Sequence, residues 1–119
     1  MSAQPEERPQ ELVPRPDLSF PSLRTALSRV APAQVPEMLA DRDVQFTRAT
    51  EAGSFEPIKG FQLKWATVIE VKRRRDLDQR MEAAQHLVHT LDRDDPKWRA
   101  AMDEVRDVYN EARRAVTGG

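Results

Sequence analysis

Cysteine is absent from the 119 residues, which excludes disulfides, a thiolate nucleophile and a thiolate metal site. Glycine is scarce: four residues, two of them the C-terminal pair Gly118–Gly119. A β-sandwich needs a turn roughly every 8–12 residues, and so few glycines among clustered prolines cannot supply them. A basic surplus is missing too. Nineteen Lys and Arg face 20 Asp and Glu, a formal charge of −1, whereas a dedicated nucleic-acid binder usually carries excess cations to neutralise phosphate. No stretch approaches the roughly 18 apolar residues of a membrane span. No apolar run of signal-peptide length opens the chain, so a cytoplasmic protein without membrane association is expected. Neither Gly-x-Ser-x-Gly, a glycine-rich phosphate loop nor His-Glu-x-x-His occurs. The expectation is therefore a non-enzyme, with no catalytic residue, cofactor or small-molecule substrate implied.

What remains is a chain 39% hydrophobic and 33% charged, enough for one modest core under a heavily charged surface. Arginine outnumbers lysine 15 to 4, a bias of high-G+C bacterial genomes. Residues 1–19 carry four of the prolines (Pro5, Pro9, Pro14, Pro16), each of which removes a backbone donor and pushes its predecessor out of the α region. This segment is expected to be a disordered tail. Its late apolar residues, Leu12, Val13, Leu18 and Phe20, are candidate anchors for a partner.

Residues 20–117 read as one all-α domain, a small bundle of four or five helices. Leu23, Ala26, Leu27 and Val30 form a helical stripe at i, i+3, i+4 and i+7. Pro36 suits the first turn of a second helix, which buries Val35, Met38, Leu39, Phe46 and Ala49 and closes at Gly53. Its middle, Asp41-Arg42-Asp43, interrupts the stripe. A third segment opens at Ser54 and Pro57. Ile58, Phe61, Trp65, Val68 and Ile69 lie within roughly 100° on a helical wheel, while Leu63 and Val71 fall outside. Leu63 to Val71 also alternates in the strand sense, but a strand would need a partner that no other segment offers. Helix is the reading taken, with strand as the alternative. A fourth helix starts at an Asp76 cap and buries Leu77, Met81, Ala84, Val88 and Leu91. A fifth starts at Asp95-Pro96, with Trp98, Met102, Val105, Tyr109, Ala112 and Val116 spaced 4-3-4-3-4.

Three constellations could carry chemistry. His86 and His89 sit three residues apart, one turn after Glu82, in a spacing that can ligate a metal. All three face away from the Leu77–Leu91 stripe, so two surface histidines are expected and no metal. The run Lys72-Arg73-Arg74-Arg75 is the densest positive patch. It could contact nucleic acid or simply complement the dipole of a helix C-terminus. Glu70, among Val68, Ile69 and Val71, is the one carboxylate with apolar neighbours, although the wheel puts it on the polar side. The fifth helix carries a coiled-coil seam, too short to stand alone, whose Tyr109 to Val116 end is a candidate surface for a partner helix.

Arg29-Val30-Ala31-Pro32, the Phe46 helix, Pro57-Ile58-x-x-Phe61-x-x-x-Trp65 and the closing Asp95-Pro96 helix together resemble a domain-of-unknown-function family of small helical proteins from high-G+C soil bacteria. The resemblance spans roughly residues 20–116 and rests on dispersed hydrophobic positions. Some members resemble partners of RelE/ParE-like toxins in gene order, which implies an antitoxin-like role. The function expected is a non-enzymatic protein-interaction module, with a toxin-like protein or a second copy as partner. The alternative is a nucleic-acid-binding regulator using Lys72–Arg75.

Overall fold

In the computed structural model, residues 10–118 are described, and among them are five α-helices and no strand. They are α1 (Phe20–Val30), α2 (Val35–Ala52), α3 (Glu56–Arg73), α4 (Arg75–Thr90) and α5 (Pro96–Thr117), with a short 3-10 turn at Pro32–Gln34 before α2. The all-α expectation holds. No helix is long and apolar enough to cross a membrane among the described residues.

The helix ends follow their local chemistry. Ser19 caps α1, its Oγ accepting from the Ser22 N–H at 3.3 Å. Asp95 caps α5 in the same way, accepting from the Lys97 N–H at 2.8 Å, ahead of Pro96 in the first turn. At the end of α2 the chain turns left-handed at Gly53 (φ 62°), and the Ser54 N–H returns to the Ala49 carbonyl at 3.1 Å. Such a conformation favours glycine because it has no Cβ.

Helix α3 is the spine. It packs against every other helix, whereas α2 reaches only α1, the 3-10 turn and α3. One core gathers Leu23, Leu27, Met38, Phe61, Trp65 and Ile69 between α1, α2 and α3. A second gathers Val71, Leu77, Met81, Val108 and Ala112 between α3, α4 and α5. Because it serves both cores, α3 is buried from Trp65 to Val71 with only Val68 half-open. A helix buried on nearly all sides has no clean polar face. That is why Leu63 and Val71 fell outside the stripe and a strand remained a rival; the segment is helix throughout.

Several sequence expectations change. Phe46, expected on the buried side of α2, is 44% exposed. Asp76 lies inside the first turn of α4, and the capping position is Arg74. The polar break in α2 serves the core: Asp41 accepts from the buried Trp65 indole N–H at 2.8 Å and from Gln45 at 3.1 Å, with Lys64 3.5 Å away. Burial works to raise the Asp41 pKa, but these donors and Lys64 outweigh it and hold the carboxyl below its usual range.

The expected disordered tail divides at Gln10. Residues 1–9 lie outside the described residues. From Gln10 the chain is laid against α3 and α4, with Val13 buried in the first core.

Replacing Asp41 by Ala leaves the Trp65 N–H buried without an acceptor. The expected cost is about 1–3 kcal/mol in urea denaturation, and Asp41→Asn, which keeps an acceptor oxygen, recovers most of it.

Candidate functional site

Between α3 and α4 the helical run is broken by a single residue, Arg74, extended at φ −102° and ψ 120°. A break of this kind strands the last carbonyls of one helix and the first N–H groups of the next. The N-terminal arm satisfies one of each. The Leu12 N–H donates to the Arg73 carbonyl at 2.8 Å, and the Arg75 N–H donates to the Gln10 carbonyl at 2.9 Å. Residues 10–12 therefore form a short splint across the hinge, pairing Glu11 with Arg74 in antiparallel fashion.

Beneath the splint lies Glu70, whose side chain has no exposed surface. Arg15 donates to both of its carboxylate oxygens, at 2.9 and 2.8 Å. Arg73, 3% exposed, donates to the same two at 2.8 and 3.2 Å and also reaches the Val13 carbonyl at 3.2 Å. Burial acts to raise the Glu70 pKa, but the bonds from Arg15 and Arg73 prevail and bring it to about 2 from an ordinary 4.5. Glu70 is thus not on a polar face, nor is it a raised-pKa acid. Two forked guanidiniums hold it ionised.

The network continues outward. Arg74 pairs with Asp76 at 2.9 Å and with Glu111 of α5 at 3.5 Å. Arg80 donates to both oxygens of Glu104 at 3.0 Å and to Glu111 at 3.0 Å. Lys72 bridges to Asp78 at 3.3 Å, and Arg75 also has an interaction of its own. Lys72, Arg73 and Arg74, read from sequence as a candidate nucleic-acid patch, are thus committed to carboxylates of the same chain.

Of the other sequence candidates, Glu82, His86 and His89 are all exposed on α4. His89 Nδ1 lies 2.8 Å from the Gln85 carbonyl of its own helix. No group of three His, Cys, Asp or Glu suited to a metal ion occurs among the described residues. In the arm, Val13 and Phe20 turn inward as parts of the first core, and Phe20 stacks 6.2 Å from Phe61. Leu12 and Leu18 stay exposed, at 50% and 45%. Tyr109 and Val116 are half-buried, against the second and first cores respectively.

The apolar surface left open lies at the other end of α5. A groove of about 750 Å³ runs between the end of α3, α4 and the first four turns of α5. Val68, Val71, Met81, Trp98, Met102, Val105 and Tyr109 supply its apolar lining, and Gln34, Gln85, Lys72, Arg99, Asp103 and Arg106 its polar groups. It arises because the apolar stripe of α5 is too wide for one seam. Ala101, Val108 and Ala112 are buried, while Trp98, Met102 and Tyr109 sit roughly 60–100° around the helix from Ala101. The Trp98 indole N–H fixes the groove's end by donating to the Val88 carbonyl at 3.1 Å. Sequence reading assigned the open face to the Tyr109–Val116 end. The wide stripe was its available signal, and only the placement of α4 shows which edge stays uncovered.

Comparison with family models, with curated proteins and with solved structures finds no match to this chain.

Glu70 gives the fold an acid dependence. Its folded pKa lies below the unfolded value, so its stabilisation is complete above about pH 4.5 and is lost as pH falls toward 2. Full protonation removes at most about 3 kcal/mol, less what solvent screens at half-open Arg15. In urea titrations, Glu70→Gln is expected to destabilise by about 3 kcal/mol at pH near 6. The gap to wild type should narrow by up to about 2 kcal/mol by pH near 3; a constant gap would remove the assignment.

Proposed function

We propose that this chain is a non-enzymatic protein-interaction module that receives an apolar segment of a partner protein in the α3–α4–α5 groove. The observation that carries this reading is the groove itself, lined by seven apolar side chains of α3, α4 and α5, of which Val68, Trp98, Met102, Val105 and Tyr109 are at least partly exposed. Soluble proteins seldom leave contiguous apolar surface uncovered without an occupant for it. A concave apolar floor with polar groups around it is also the common form of a helix-receiving surface. The groove is built on packed helices, so its walls are preformed and little ordering entropy opposes docking.

The reading keeps the expectation of a protein partner but moves the contact surface. In the arm, Val13 and Phe20 are occupied by the chain's own core. On α5 the contact falls on the Trp98–Tyr109 end. The antitoxin-like form of the role remains an implication of the family resemblance, and the same groove would serve it. A cytoplasmic setting belongs to the same proposal. The nucleic-acid alternative gains no support from Lys72, Arg73 and Arg74, whose charges the chain's own carboxylates already meet.

Met102 is 38% exposed in the groove wall, so a charge placed there blocks docking without entering the core. Affinity capture from the native host should recover a protein with the wild-type chain. Met102→Asp should lower its yield by about tenfold or more, while the exposed α2 variant Thr47→Asp leaves the yield unchanged. Equal recovery with all three chains would sink the proposal.

A further inference from the structure

We infer that the occupant of the groove is an acidic amphipathic helix of about three turns, supplied by a different protein; this rests on the docking reading above. The length comes from α5. The lining residues run from Trp98 to Tyr109, and at 1.5 Å per residue that strip is roughly 17 Å long. A helix of about 12 residues covers such a strip and offers apolar side chains at i, i+4, i+7 and i+11 to one floor. A strand-like ligand would need an exposed sheet edge for its backbone, and the described residues contain no sheet.

The charge of the occupant follows from the lining. Three cations, Lys72, Arg99 and Arg106, face it against one anion, Asp103. Asp103 is already held by Arg106 at 2.7 Å, and Lys72 leans on Asp78 at 3.3 Å. Arg99 is exposed and has no ion-pair partner among the described residues. In the turn before α5, between Asp92 and Asp94, Arg93 lies over the Trp98 ring, 5.6 Å from its centre. A helix with Glu or Asp flanking its apolar stripe meets Arg99 directly, with the paired Lys72 and Arg106 beside it, and one flanked by Lys or Arg is repelled there.

A second copy does not fit this description. A symmetric pairing through the groove's own α5 face, where Met102 is exposed, would bring Arg99 and Arg106 of the two copies together. The other large apolar side chains exposed on this chain's helices are dispersed: Val44 and Phe46 on α2, Leu87 on α4, with Phe55 in the turn before α3. Val44 and Phe46 point roughly 160° apart on the α2 wheel. None of these helices offers three such residues along one exposed face.

The test uses the full chain and two fluorescein-labelled helical peptides of about 15 residues. Both carry Leu at i, i+4, i+7 and i+11; one has Glu at its flanking positions and the other Lys. Anisotropy titration should give at least about tenfold tighter binding of the Glu peptide at low salt. That preference should shrink at about 0.5 M salt, where exposed charges are screened. Arg99→Glu, on an exposed residue, should remove most of the preference, and Met102→Asp should weaken both peptides. Equal binding of both, or tighter binding of the Lys peptide, overturns the acidic occupant while leaving the docking reading intact. Failure of both peptides, with capture still sensitive to Met102→Asp, does the same. Failure of both with insensitive capture removes the docking reading as well. A dimer by sedimentation that Met102→Asp dissociates would assign the groove to a second copy and overturn the inference.

Discussion

A carboxylate shut away from water must give up its charge or gather donors, and Glu70 gathers four. Two come from Arg15 in the arm and two from Arg73 at the end of α3. The same guanidinium of Arg73 reaches the Val13 carbonyl, so one buried anion ties the arm, the spine helix and the hinge. Removing a single member would leave an uncompensated charge in the interior, which costs more than the assembled cluster contributes. The break at Arg74, the inward turn of Val13 and the start of α4 all depend on that cluster. From there the ion pairs pass through Arg74 and Glu111 to Arg80 and Glu104, fixing α5 along α3 and α4 and so the shape of the groove.

The helices were legible in the sequence because their signals are local. The Leu23–Val30 stripe, Gly53 after α2 and Asp95-Pro96 before α5 each specify a feature from a few neighbouring residues. The α3 segment was ambiguous for a physical reason: burial from Trp65 to Val71 erases the contrast between faces on which periodicity depends. Asp41 looked like a fault in a stripe, because its partner Trp65 lies on the next helix. Glu70 was singled out for its apolar neighbours in sequence, yet its real neighbours, Arg15 and Arg73, approach from 55 residues away and from the next turn.

The arm was the largest departure. Proline-rich composition correctly denies it a helix or strand of its own, and the inference of disorder followed from that. Residues 10–19 are instead ordered by what they touch, with Leu12 bonded to the stranded Arg73 carbonyl and Arg15 forked onto Glu70. Composition measures what a segment can do alone, and it is silent about a vacancy elsewhere that the segment fills. The Lys72–Arg75 run misled in the converse way. As a string it reads as a cationic surface; in the fold it is one half of a set of matched charges.

The splint also has a consequence in time. Arg15 and Glu70 are separated by 55 residues, and Val13 and Arg73 by 60. The arm leaves the ribosome before α3 and cannot make these bonds until the end of α3 follows. At a synthesis rate of about 5–20 residues per second this is an interval of several seconds. Through that interval a proline-rich segment has little helix or strand of its own to form. The composition that looked like a sign of permanent disorder is what suits a segment that must wait for its partner to be made.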